Sequence, residues 1–217
     1  SYSGGTEEVL ACGKEAKDKN FKIAGITVGG KLSEFLKINN YPNLVFEPKF
    51  NPSGQPRLAT GYMALGFFAM LKKLGFINLS DNEFLKSVGE LKSSIPEIKN
   101  KSISIAKFLV GHIPLVFCAE FLYGNAHILR NQFNETSKSF SAFEDIPELN
   151  HHLMEGLKNP LDKKIKIVFI TSNLYSGMIK KRFDLTKDVI EKNNVEFLEY
   201  SSRGSTKISQ VLNTLAF

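Results

Sequence analysis

The sequence predicts an α/β fold in which parallel strands are covered by helices. Three observations point there. Short apolar runs that read as strands alternate along the chain with stretches of helical character. The loops between them are short, as connections in a parallel sheet are. The run Phe21–Val28 (FKIAGITV) reads as a buried strand and stops at the pair Gly29–Gly30.

The remaining elements follow in order. Ser1–Gly5 is a loop, and a helix is expected from about Thr6 to Lys19. After the first strand come a short helix, Lys31–Lys37, and a second strand, Leu44–Glu47. Asn51–Arg57 (NPSGQPR) is a turn segment rich in Pro, Gly and Ser. Leu58–Leu74 reads as a long helix that is apolar nearly all round and therefore buried. Asp81–Glu90 starts another helix, with Ser80 or Asp81 as its cap. A second α/β unit follows: helix Lys101–Val110, strand Pro114–Cys118, helix Asn125–Phe133, strand Lys164–Thr171, helix Thr186–Asn193 and strand Val195–Tyr200. Thr206–Phe217 begins a helix with no stop signal, and the chain opens at Ser1 without Met, as a fragment would. The boundary between the two units is expected within residues 76–100, giving parts 1–75 and 76–217.

Composition narrows the function. Of 217 residues, 42% are hydrophobic and 23% charged, an ordinary soluble balance. The longest apolar runs, Gly61–Leu71 and Phe108–Gly124, are too short or too polar to span a bilayer, which needs roughly 20 residues. A cytoplasmic protein that binds no membrane is expected. Net charge is +6. The pairs Lys72–Lys73, Lys163–Lys164 and Lys180–Lys181 with Arg182 are scattered and not interleaved with aromatics, so no nucleic-acid partner is expected. Cys12 and Cys118 show no metal spacing and read as free buried thiols in a reducing compartment.

Three constellations carry chemistry. Ser1-Tyr2-Ser3-Gly4-Gly5-Thr6-Glu7-Glu8 sets hydroxyls and glycines directly before a helix, whose free N–H groups and positive dipole end suit a phosphate. The bland alternative is that Ser3 or Thr6 only caps the helix. Arg57 opens an apolar helix after the Pro52–Pro56 turn, where a guanidinium can face a developing oxyanion; the alternative is a surface Arg. Glu135 and His151 stand 16 positions apart in polar segments (NETSK and PELNHH). A carboxylate can take a proton beside a carbonyl, and an imidazole can shuttle one. Their alternatives are a surface Glu and a helix-capping His. His112 and His127 lack such company and read as structural.

Taken together, SYSGGTEE, NPSGQPRLATGY, NQFNETSK and IPELNHH resemble the signatures of the bifunctional phosphoglucose/phosphomannose isomerase family. That family reads SYSGNTEE, a PRxALGY-like segment, NENAK and PELNHN. The resemblance implies two sugar-isomerase (SIS), flavodoxin-like parallel-sheet subdomains with flanking helices, the first lacking its N-terminal strands here. It also implies further C-terminal helices after Phe217, one with a substrate-contacting lysine. Ser1, Ser3 and Thr6 would hold the phosphate of a hexose 6-phosphate. Arg57 would support a cis-enediol, and Glu135 would move the proton between carbon 1 and carbon 2. His151 would assist ring opening, acting in the partner subunit of a homodimer; the motif picks it over His152. No metal and no organic cofactor are implied. Gly5, Thr136-Ser137 and His152 depart from the family's Asn, Asn-Ala and Asn. Two rivals stay open: a non-catalytic SIS module that senses a sugar phosphate, and another SIS enzyme acting on an aminosugar or a pentose phosphate.

Overall fold

The computed structural model describes residues 1–159 and 164–217, so Lys163 of the Lys163–Lys164 pair lies outside the described residues. The chain divides into two compact units, Ser1–Leu79 and Ser80–Phe217.

In the first unit, α1 (Glu7–Asp18) leads to β1 (Gly25–Thr27), α2 (Gly30–Ile38) and β2 (Asn43–Val45). A 3-10 turn at Pro56–Ala59 then runs into α3 (Thr60–Lys73). β1 and β2 pair in parallel, from Gly25 with Asn43 to Thr27 with Val45. Ile26, Leu32, Leu36 and Ala59 are the buried apolar side chains around them. Gly25 is small because the Leu36 side chain occupies the space of a Cβ.

Two expectations need correction in this unit. The strand is shorter than FKIAGITV, and Phe21 is 63% exposed. The long apolar helix is not buried all round: within α3 only Gly66 is buried, and Phe67 is 55% exposed. The physical reason is the width of the sheet. Two strands cover one side of α3, where Gly66 meets Leu44 and Ile26. Met63, Phe67, Met70 and Leu71 instead line an apolar cavity of about 900 Å³.

The second unit opens with α4 (Asp81–Leu109), capped by the Ser80 hydroxyl, which accepts the Glu83 N–H at 3.1 Å. Two helices were expected here, and one 29-residue helix is found. Pro96 lies inside it on an exposed turn, where losing one intrahelical bond costs least. The hydroxyls of Ser93 and Ser94 both turn back to the Glu90 carbonyl, at 2.9 and 2.8 Å, so these serines do not break the helix either.

There follow β3 (Ile113–Ala119), a 3-10 turn (Glu120–Leu122), α5 (Tyr123–Glu135), β4 (Ala142–Ile146) and α6 (Leu149–Gly156). The unit closes with β5 (Ile165–Thr171), α7 (Gly177–Lys192), β6 (Phe197–Ser201) and α8 (Lys207–Ala216). The four strands are parallel in the order β4-β3-β5-β6. Strand order reverses between β3 and β5, so crossover helices form two groups, α4 with α8 and α5, and α6 with α7. Val116, Phe117, Ile167, Val168, Phe169 and Ile170 are completely buried at the centre, and Phe117 meets Phe169 edge to face at 5.5 Å. The Tyr175 hydroxyl ties the tops of β3 and β5 together: it accepts the Ala119 N–H and donates to the Ile170 carbonyl, each at 3.2 Å.

β4 and α6 are absent from the sequence reading. β4 is an edge strand whose AFEDI carries two carboxylates, a pattern that blunts edges and hides apolar alternation. α6 is a short helix spelled LNHHLMEG, with only Leu149 buried. No helix of the described residues is long and apolar enough to cross a membrane.

The cysteines divide. Cys118 is buried in β3, but Cys12 is exposed on α1, which corrects the expectation of two buried thiols. Burial pushes the Cys118 thiol up to about 12, with the charges of Asp145 and Glu144 adding to the effect. A thiol reagent at neutral pH is therefore expected to modify one cysteine of the native chain, and Cys12→Ala should remove that signal. Cys118 should react only after denaturant; fast labelling of it in the native chain would contradict this packing.

Candidate functional site

The opening loop is fixed to the rest of the unit largely through its backbone carbonyls. Gly4 is buried at φ +71°, and a Cβ there would run into the Gly29 carbonyl and come within 2.7 Å of Thr27 Oγ1. The Val28 N–H donates to the Tyr2 carbonyl and the Leu32 N–H to the Gly4 carbonyl, each at 2.9 Å. Buried Thr27 reaches the carbonyls of Tyr2 (3.1 Å) and Gly29 (2.9 Å) and accepts the Gly29 N–H at 3.2 Å. The loop is thereby fixed at the C-terminal end of β1, where parallel α/β sheets present their ligand sites.

The hydroxyls are not used as caps. Thr6 is the N-cap residue of α1 yet makes no side-chain cap bond. Its hydroxyl meets the Ser1 hydroxyl at 2.7 Å, and Ser3 Oγ accepts the Gly5 N–H at 3.2 Å. Ser3 and Thr6 are exposed. Hydroxyls ahead of an uncapped helix N-terminus can donate to an anion without any lysine.

Arg57 sits in the 3-10 turn before α3, half-buried, and its carbonyl accepts the Thr60 hydroxyl at 2.8 Å. The turn that carries it is tied to the opening loop. Buried Asn51 donates through Nδ2 to the Tyr2 hydroxyl and to the Gln55 carbonyl, both at 2.9 Å, and accepts the Ser53 hydroxyl at 2.7 Å. Ser1, Ser3, Thr6 and Arg57 thus belong to one hydrogen-bonded assembly of the first unit. Tyr2, Thr27 and Asn51, which build it, escape sequence reading because their partners lie 25 to 49 positions away.

Glu135 and His151 belong to the second unit, at opposite ends of its sheet. Glu135 is the exposed last residue of α5. Its neighbour Asn134 donates to the Ser141 carbonyl at 2.9 Å, and the Ser141 hydroxyl donates to Pro114 at the start of β3. That places Glu135 at the N-terminal edge. His151 is exposed on the first turn of α6, which leaves the C-terminal end of β4; Asn150 beside it anchors the helix to Thr186 at 2.8 Å. The whole of β4, five residues or roughly 17 Å, lies between the two edges. His151 is not a cap, since its place is within the helix. Among the described residues no three His, Cys, Asp or Glu side chains gather as a metal site would require.

Comparison with known proteins bears on the family and the fold. The bifunctional phosphoglucose/phosphomannose isomerase of Caldicellulosiruptor bescii is 30% identical over 231 residues, covering 99% of this chain and 65% of that protein. That of Aquifex aeolicus is 30% identical over 214 residues, covering 98% and 63%. The chain spans less than two thirds of either relative. The solved glucosamine-6-phosphate deaminase from Thermotoga maritima superposes on the whole chain and on 65% of its own, with TM-score 0.72 at 22% identity, a likeness of fold. The model of the bacterial phospho-glucose isomerase C-terminal SIS domain matches residues 98–217, more than half of this sequence. With its parallel α/β sheets, the chain belongs to that SIS-domain family.

Proposed function

We propose that this chain binds a hexose 6-phosphate and isomerises it between aldose and ketose, glucose 6-phosphate or mannose 6-phosphate to fructose 6-phosphate. The observation that carries the reading is the opening loop. Its hydroxyls stand ahead of α1 without capping it, in a chain whose relatives are named phosphoglucose/phosphomannose isomerases. Ser1, Ser3 and Thr6 hold the phosphate. That remote handle supplies binding energy that orients the reacting carbons. Glu135 carries the proton between carbon 1 and carbon 2, and Arg57 faces the oxygen on which enediolate charge develops. His151 moves the proton that opens the sugar ring.

The doubled SIS arrangement belongs to the same reading. Both units pair their strands in parallel, and each carries a Ser- and Gly-containing loop before a Thr N-cap. A homodimer is part of it too. A base and a ring-opening histidine must reach one sugar, and the placing of Glu135 and His151 at opposite sheet edges of one chain supports a histidine supplied by a second copy.

Glu135→Gln is expected to lower turnover by about 100-fold or more, the usual scale for a positioned base, while hexose 6-phosphate binding stays within a few-fold. Wild-type turnover in Glu135→Gln would remove the base assignment. Binding without turnover in the unmodified full-length protein would identify a sugar-phosphate sensor instead. Mixing inactive Glu135→Gln and His151→Ala chains tests the shared site. Random reassortment should restore about one quarter of wild-type activity, because half the dimers are mixed and each has one intact site. No recovery after verified exchange would put both residues in the site of a single chain.

A further inference from the structure

Two loops of this chain are spelled alike. Ser1-Tyr2-Ser3-Gly4-Gly5-Thr6 ends on the N-cap of α1, and Ser201-Ser202-Arg203-Gly204-Ser205-Thr206 ends on the N-cap of α8. Aligned by those caps, Ser, Gly and Thr recur in the first, fourth and sixth places. Gly4 lies at φ +71° and Gly204 at +125°, and a Cβ on the second would run into Ser209, as one on the first would meet Gly29.

What occupies them differs. In the second loop the Ser205 N–H donates to Glu90 Oε2 at 2.9 Å and the Ser205 hydroxyl to Oε1 at 2.6 Å. The Ser209 hydroxyl donates to Oε2 as well. Lys86 Nζ stands 4.0 Å from Oε1 on the same helix as Glu90. Thr206 caps α8, accepting the Ser209 N–H at 3.1 Å. A carboxylate that receives an amide and two hydroxyls beside the Thr206-capped start of α8 takes donors that an inorganic anion could also use. The Ser205 and Ser209 bonds hold the Glu90 carboxyl down to about 2, so it is ionised throughout the neutral range.

We propose that the loop between β6 and α8 is a second anion cradle whose anion is the chain's own Glu90 carboxylate, which clasps α4 to α8 and closes this cradle to external phosphate. The clasp stands whether or not the Ser1–Thr6 loop takes a sugar phosphate. A groove of about 690 Å³, lined by Glu90, Asn173 and Ser201–Gly204, gives solvent access to the carboxylate. An external anion can therefore reach the cradle once that carboxylate is removed.

The test is anion rescue of the full chain. Thermal midpoints of wild type and Glu90→Ala are measured in chloride, acetate and inorganic phosphate at equal ionic strength. The shift each salt gives wild type is subtracted, which removes anion binding elsewhere, the opening loop included. Glu90→Ala should melt several degrees lower in chloride and regain about half of the loss or more in acetate or phosphate. Adding Ser205→Ala should abolish most of that recovery. If Glu90→Ala does not fold in chloride, its refolding yield in acetate against chloride is the readout, with the same expectation. A variant as stable as wild type, equal behaviour in all three salts, or recovery that survives Ser205→Ala would overturn the clasp; the last would mark an adventitious ion only.

Discussion

The close approach of Gly4 to the end of β1 is the contact on which the candidate site depends. It brings the opening loop against Gly29, closer than any side chain allows, and puts the Tyr2 carbonyl within reach of Thr27 and Val28. This packing is made through the loop's backbone, while the hydroxyls of Ser1, Ser3 and Thr6 bond locally, Ser1 with Thr6 and Ser3 with the Gly5 N–H. Through Tyr2 and Asn51 the same packing sets the turn that carries Arg57. A phosphate cradle without lysine needs such fixing, since its donors must be aligned before the anion arrives.

The second unit uses its sheet differently. Its central strands form an apolar core, while Glu135 and His151 stand at the rims. An edge strand five residues long separates the carboxylate at one rim from the imidazole at the other. In the proposed reaction that separation is what calls for a second copy to supply the histidine. The loop that follows β6 shows a second use of hydroxyl-and-glycine chemistry, in which an internal carboxylate supplies the charge and the product is helix packing.

Much of the fold was legible because it rests on local patterning. PLVFC lies within β3, and all of KIKIVFIT but Lys164 forms β5. Ser80, one of the two caps expected, is the one used, and parallel pairing follows from the alternation of elements. What escaped depends on context. AFEDI looks polar because it is an edge, and the helix through Pro96 survives because that residue faces water. α3 looks like core because sequence alone does not reveal how many strands cover it. In the site, the motif residues were visible but their supports were not: Thr27 and Asn51 are ordinary polar residues until chain reversal brings Tyr2 to them. Glu90 gave no signal at all, since its partners lie 115 and 119 positions away.

The most direct measurement is calorimetric titration of fructose 6-phosphate into wild type and Gly4→Ala, with Cys118 reactivity followed to confirm that the second unit stays folded. The account predicts a loss of affinity of about tenfold or more, the scale of one charge-assisted hydrogen bond, with Cys118 still protected. Unchanged affinity in a folded Gly4→Ala chain would contradict it.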